Sequence, residues 1–176
     1  VLKVADVVAI QEAHGDPATC GEFLKQLPGW AGYYSAGPDR GTGGVLCPFR
    51  RRLLRRATAV TFQVLTAGRL TRIVLDYADG SSIVVINLHV DPNLPIVEQK
   101  TIINKAMAIT SSRDFRTVVL ADFNFTLPGD SRHIIGGQPH NTDDAVGKWF
   151  RQTFPAMRVM GHDGYTRLGL LDGRPH

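Results

Sequence analysis

The chain has 176 residues, 43% of them hydrophobic and 20% charged, with a mean hydropathy of −0.07; that is enough to bury one substantial core and too little for two comfortable domains, so a single partial domain over 1–176 is expected. No apolar run approaches the roughly 20 residues that a bilayer-spanning helix requires, and no charged segment leading into an apolar stretch opens the chain, so an intracellular protein without membrane partners is expected. The net charge of +4 is local, because Arg50, Arg51, Arg52, Arg55 and Arg56 supply five cations while the rest of the chain carries 15 Lys and Arg against 16 Asp and Glu.

Fifteen of the 20 cations are Arg, whose planar fork matches phosphate geometry better than Lys does. The Arg50 to Arg56 run therefore reads as a solvated face, a nuclear-import-like address, or a contact with nucleic-acid phosphates. The two cysteines, Cys20 and Cys47, lack metal-like spacing and read as reduced structural thiols.

In chain order, Asp6 to Gln11 reads as a strand ending at Glu12, and Thr19 to Leu27 as a short helix stopped by Pro28-Gly29. Trp30 to Ser35 and Gly44 to Phe49 form a hairpin around a turn-rich segment. Ala57 to Thr66 and Leu70 to Tyr77 pair about Gly68, and Asp79-Gly80 turns the chain into the strand Ile83 to His89. From Pro95 to about Ser112 the apolar spacing of Ile96, Ile102, Ile103, Ala106, Met107 and Ile109 fits an amphipathic helix with Pro at its start.

A strand over 117–121 follows, then a long polar loop from Pro128 to Asn141 and a helix from about Asp143 to Phe154, with Asp143 and Asp144 in its first turn. A final strand is expected near Met157 to Met160. Meanders of strands with a few helices outside them fit an α/β (α+β) sandwich of two sheets, not an alternating βαβ fold.

Four strand ends carry polar groups straight after apolar runs: Gln11-Glu12, Asn87 with His89, Asp122 with Asn124, and Asp172. The strand aims each side chain and the following loop exposes it. A carboxylate beside a neutral amide, as in Asp122-Phe123-Asn124, suits a site that holds a cation and a phosphate oxygen together.

The strings Ala9-Ile10-Gln11-Glu12, Ile86-Asn87-Leu88-His89-Val90-Asp91-Pro92 and Leu120-Ala121-Asp122-Phe123-Asn124 resemble, in order, three central motifs of the endonuclease/exonuclease/phosphatase superfamily. The resemblance runs from about Asp6 to Asp172. It implies a DNase I-like sandwich of two mainly antiparallel β-sheets flanked by helices and incomplete at both termini, and within the superfamily it looks most like a retrotransposon-type or apurinic endonuclease.

Carried over residue by residue, it implies Glu12 as the ligand of Mg2+ or, in its place, Mn2+, with Gln11 as its neighbour. His89 would transfer a proton or stabilise phosphate, Asp122 would activate the attacking water, and Asn124 would grip the scissile phosphate. Asp172 would orient a histidine further on. Asn87 and the arginines Arg50, Arg51 and Arg52 are expected to contact substrate, with DNA preferred to RNA as the partner and bound through its backbone phosphates.

Two features depart from the family pattern. An Asn-bearing first strand should precede Val1, and a terminal Ser-Asp-His should lie beyond His176, so a piece of a larger fold is expected. Three readings follow: a Mg2+-dependent phosphodiester hydrolase, most simply a DNA endonuclease; a phosphatase of the same fold acting on inositol phosphates or lipid headgroups; and a truncated, non-catalytic nucleic-acid-binding fragment.

Overall fold

In this computed structural model the described residues are 5–39, 41–110, 116–125 and 145–155, together with the backbone of 170–171 and 174–175. The chain divides into two units, Val1–Asn124 and Phe125–His176. In the first, β1 (Ile10–Gln11), β2 (Trp30–Ser35) and β3 (Val45–Arg50) form an antiparallel sheet in the order β1-β3-β2. A second sheet has the order β4-β5-β6-β7, built from β4 (Ala59–Thr66), β5 (Leu70–Asp76), β6 (Ser82–His89) and β7 (Arg116–Asp122). Its first three strands are an antiparallel meander, and β7 joins β6 in parallel.

The expected strand Asp6 to Gln11 is shorter in the structure. Only Ile10 and Gln11 pair continuously with β3, and Val7 makes an isolated bridge to Phe49. Helix α1 (Pro17–Lys25) begins two residues before the expected Thr19. Asp16 caps it, accepting from the Thr19 backbone N–H at 2.8 Å and from its hydroxyl at 2.9 Å, and Pro17 takes the first helical position, where a missing N–H costs nothing.

The Arg-rich run closes β3 and forms the single-turn helix α2 (Arg51–Leu54). Helix α3 (Ile96–Thr110) matches the expected span closely and buries Ile103, Ala106 and Met107. Ile96 departs from the expected apolar face and is half exposed. Gln99 is buried instead, because its Nε2 donates to the Leu94 carbonyl at 2.7 Å and the Pro92 carbonyl at 3.3 Å, closing the turn that leads into the helix.

The two sheets meet in a core of Cys47 and Phe49 from β3 with Ile73, Leu75 and Val85 from the second sheet. Alternation along each strand explains which residues enter it. On β6 the residues Ile83, Val85, Asn87 and His89 share one face, and their partners on β5, Leu75, Ile73 and Thr71, share it too. That face is apolar at one end and polar at the other. The sequence therefore builds a dry core and a polar site on the same surface, one after the other.

Cys47 is fully buried in this core, and burial pushes its thiol up to about 12; Cys20 is also buried, and its thiol is raised by the same cause. Both are free, as expected from the sequence. Because the thiolate is the reactive form, Cys47 should not react with Ellman's reagent in the native chain and should react fully in guanidinium. A native count that includes Cys47 would contradict this packing.

In the second unit, helix α4 (Ala145–Thr153) buries Val146, Gly147 and Phe150, and Phe150 packs against Phe125 and Phe154 with ring centroids 5.3 Å apart in each pair. Short strands β8 (Leu170–Leu171) and β9 (Arg174–Pro175) pair antiparallel. The expected loop Pro128 to Asn141, the pair Asp143 and Asp144, the strand near Met157 to Met160, and Asp172 lie outside the described residues.

Candidate active site

Three strand ends converge at the polar end of the sandwich. The end of β1 leads directly into Glu12, β6 ends on His89 and β7 ends on Asp122, with Asn124 two residues later. The parallel register places His89 beside Asp122, and the Val90 N–H donates to the Asp122 carbonyl at 2.9 Å. Glu12 comes across from the other sheet, its Oε1 lying 3.6 Å from His89 Nε2. Glu12 and His89 are 77 residues apart in the sequence and meet here because β1 and β6 face each other.

The link between the sheets is polar and specific. Gln11 Nε2 donates to Asn87 Oδ1 at 2.9 Å, and Asn87 Nδ2 donates to the Leu46 carbonyl of β3 at 3.1 Å. Asn87 is completely buried, so these bonds satisfy an amide that would otherwise be costly there. Asn87 thus braces β1 against β6 and is placed to hold Glu12 in position; a direct substrate contact from a side chain with no exposure is not what this geometry offers.

Glu12 and Asn124 are the two non-glycine residues, among those described, with a positive φ, 51° each. The left-handed region is uncommon for residues other than Gly, Asn and Asp, and such backbone concentrates at functional sites. Asn124 is held there by its own N–H, which donates to Asp122 Oδ1 at 3.1 Å, and by its Nδ2, which donates to the Val90 carbonyl at 2.9 Å. Glu12 is held through its neighbour: the Ala13 N–H donates to the Gly44 carbonyl at 3.0 Å. Gly44 has φ +94°, and a Cβ there would stand 2.3 Å from the Ala13 carbonyl oxygen, so only glycine allows this approach.

His89 is fully buried and bonded through Nδ1 to Arg69 Nη1 at 2.8 Å. Arg69 also donates through Nη2 to Asp91 Oδ2 at 2.6 Å, forming an ion pair with side-chain exposures of 13% and 20%. A guanidinium can only donate, so Nδ1 accepts and the neutral imidazole carries its proton on Nε2, on the side of Glu12. Burial is the largest cause holding the His89 pKa below its usual value and the Arg69 charge adds to it, while Glu12, Asp122 and Asp91 pull the other way. His89 is therefore a neutral Nε2–H donor, and that N–H has no hydrogen-bond partner among the described residues.

Arg69 and Asp91 were not picked out by the sequence motifs. Asp91 lies inside the quoted Ile86 to Pro92 string, whereas Arg69 sits at the tip of the β4–β5 turn, where only the pairing of β5 with β6 brings it to His89. The turn depends on Gly68, whose φ is +62° and whose Cβ would lie 2.4 Å from Gly37 Cα.

The structure does not bring Arg50, Arg51 and Arg52 to this end. Glu12 lies beyond the β1–β3 pair Gln11↔Val45 at the start of β3, whereas Arg50 ends that strand. Five residue steps at about 3.4 Å each separate the two positions by about 17 Å. The arginines stand at the opposite end of the sheet from Glu12.

The residues present suit the divalent ion that the family resemblance implies. Mg2+ commonly takes one or two protein carboxylates and completes its shell with water and substrate oxygens. Glu12 offers one half-exposed carboxylate, and no cluster of three or more His, Cys, Asp or Glu able to hold an ion occurs among the described residues.

No family model and no curated protein matches the sequence significantly. Among solved structures, an AP endonuclease from Leishmania major is similar at 13% identity with a TM-score of 0.63, over 88% of this chain and 58% of its own, so the chain spans little more than half of that protein. A truncated TDP2 from Caenorhabditis elegans is 15% identical over 72% of this chain and 52% of its own, with a TM-score of 0.46. An antiparallel sheet laid on a mixed one, kept at so low an identity, is a likeness of architecture: this chain has a DNase I-like fold.

Proposed function

We propose that the protein is a Mg2+-dependent phosphodiester hydrolase acting on DNA, an endonuclease of the retrotransposon or apurinic kind. The observation that carries this reading is the meeting of Glu12, His89, Asp122 and Asn124 at one end of the sandwich, two of them on left-handed backbone. The similarity in fold to an AP endonuclease supports it. No helix among the described residues is long and apolar enough to cross a membrane, and the location that goes with this reading is intracellular.

Glu12 would hold the ion, which when bound supplies positive charge to neutralise the phosphate. Asp122 would accept the proton of the attacking water, as a carboxylate within reach of the phosphate can. Asn124, its amide plane set by the bond to Val90, would bind a non-bridging phosphate oxygen. His89 would donate its Nε2–H to the charge that develops on phosphate. Because Nδ1 already accepts from Arg69, His89 acts here as a fixed donor and not as a carrier of a second proton.

The test uses supercoiled plasmid and inositol phosphates side by side. The purified protein should convert plasmid to the nicked circle with Mg2+, lose that activity in EDTA, and release no phosphate from inositol phosphates. Phosphate release with intact plasmid would replace the endonuclease by a phosphatase of the same fold.

A further inference from the structure

At the far end of β3 a surface cavity of about 290 Å3 is lined by Gly29 and four arginines, Arg50, Arg51, Arg52 and Arg55. A neighbouring cavity of about 260 Å3 shares Arg51 and Arg55 and adds Ala31 and Leu54. Three of the arginines are anchored. Arg50 lies 4.5 Å over the Trp30 ring and its Nε donates to the Ala5 carbonyl at 3.4 Å; Arg51 Nε donates to the Trp30 carbonyl at 3.0 Å. Arg52 bonds Asp6 Oδ1 through Nε at 2.9 Å and Nη2 at 2.7 Å. The side chain of Arg55 makes no hydrogen bond or ion pair with any described residue.

A guanidinium carries five N–H donors in one plane; Arg51 commits its Nε, and Arg52 its Nε and Nη2, to the contacts above. Asp6 is paired with Arg52. Like charges gathered around one cavity repel each other, and an anion entering it would relieve that repulsion as well as gain charge-assisted hydrogen bonds. A carboxylate is satisfied by a single fork. Four arginines around one cavity offer more donors than a carboxylate takes up and suit a phosphate, which has more acceptor oxygens, and the adjoining cavity, with Ala31 and Leu54, has room for the organic group that carries it.

We propose that these paired cavities form a binding site for a phosphate ester, separate from the site at Glu12. The assignment does not depend on the hydrolase reading, since the two sites lie about 17 Å apart at opposite ends of β3. A nucleic-acid strand and a free phosphorylated small molecule offer the same chemistry, and they differ in what else they must bring to the protein surface.

The experiment is an amide NMR titration of the whole chain, without divalent cations, using inorganic phosphate, thymidine 5′-monophosphate and a short DNA duplex in turn. Phosphate and the monophosphate should shift Gly29 and Arg51 to Arg55 saturably and leave Gln11, His89 and Asn124 in place. Arg55→Ala should weaken the monophosphate about tenfold, the loss of one charge-assisted hydrogen bond, and Arg55→Lys should weaken it less. Glu12→Gln should change nothing here, so failure of the catalytic reading leaves this result intact. If the duplex shifts the same signals and competes with the monophosphate, the ligand is a strand; if only the small anions do, it is a free phosphate ester. Unmoved signals at Gly29 and Arg55, or an unchanged affinity in Arg55→Ala, would overturn the site.

Discussion

Asp122→Asn should lower Mg2+-dependent nicking of plasmid by about 10²- to 10⁴-fold, the range that a positioned acid or base contributes, while leaving the thermal midpoint close to that of the parent. The two halves of the expectation come from different atoms. Asp122 Oδ1 accepts from the Asn124 N–H at 3.1 Å, and asparagine keeps a carbonyl oxygen for that bond, so the left-handed backbone at Asn124 stays supported. What asparagine cannot do is accept a proton at neutral pH. Asp122→Ala, by contrast, removes both the acceptor and the base, and should lower stability as well as activity. Full activity in Asp122→Asn would remove Asp122 from the chemistry, whereas equal loss of stability in both variants would reduce it to a structural cap.

The strand ends that carry this site were legible because each follows a run of apolar residues, and such a run fixes both where a strand lies and where its last side chains emerge. Val118 to Ala121 aim Asp122; Ile83 to Ile86 aim Asn87 and His89. Boundaries were less legible. The first strand shrank to Ile10–Gln11 because backbone pairing with β3, which the sequence does not display, ends at Leu46↔Ile10 and resumes only as a bridge at Val7↔Phe49.

The position of the arginines was hidden for a related reason. Both Glu12 and Arg50 follow strands, which makes them look equivalent along the chain. Once β1 and β3 are known to be antiparallel, the end of one is the start of the other, and the two groups separate to opposite ends. Arg69 was hidden more deeply, since a turn residue is brought to His89 only through the β5–β6 register, in which the His89 backbone N–H donates to the Arg69 carbonyl at 2.8 Å.

Arg69→Leu should destabilise the protein by about 3 kcal/mol, the cost of breaking a largely buried ion pair and leaving its partners unmet. At roughly 2–4 °C per kcal/mol for a chain of this size, the thermal midpoint should fall by about 10 °C. Leucine fills much of the space of the arginine stem, so the loss reports the polar contacts: Nη1 to His89 Nδ1 and Nη2 to Asp91 Oδ2. Arg69→Lys separates those two contacts, because a single ammonium has no fork with which to meet both at fixed geometry. It should recover part of the stability through Asp91 and little of the control over His89. That control has its own signature. In the parent, imidazole ¹⁵N shifts should show Nδ1 unprotonated and Nε2 protonated, and in Arg69→Leu the freed Nδ1 should allow both tautomers. A parent His89 with its proton on Nδ1, or an Arg69→Leu midpoint within 2 °C of the parent, the shift of about 1 kcal/mol or less, would mean that Arg69 neither stabilises this end of the sandwich nor sets the donor that His89 presents.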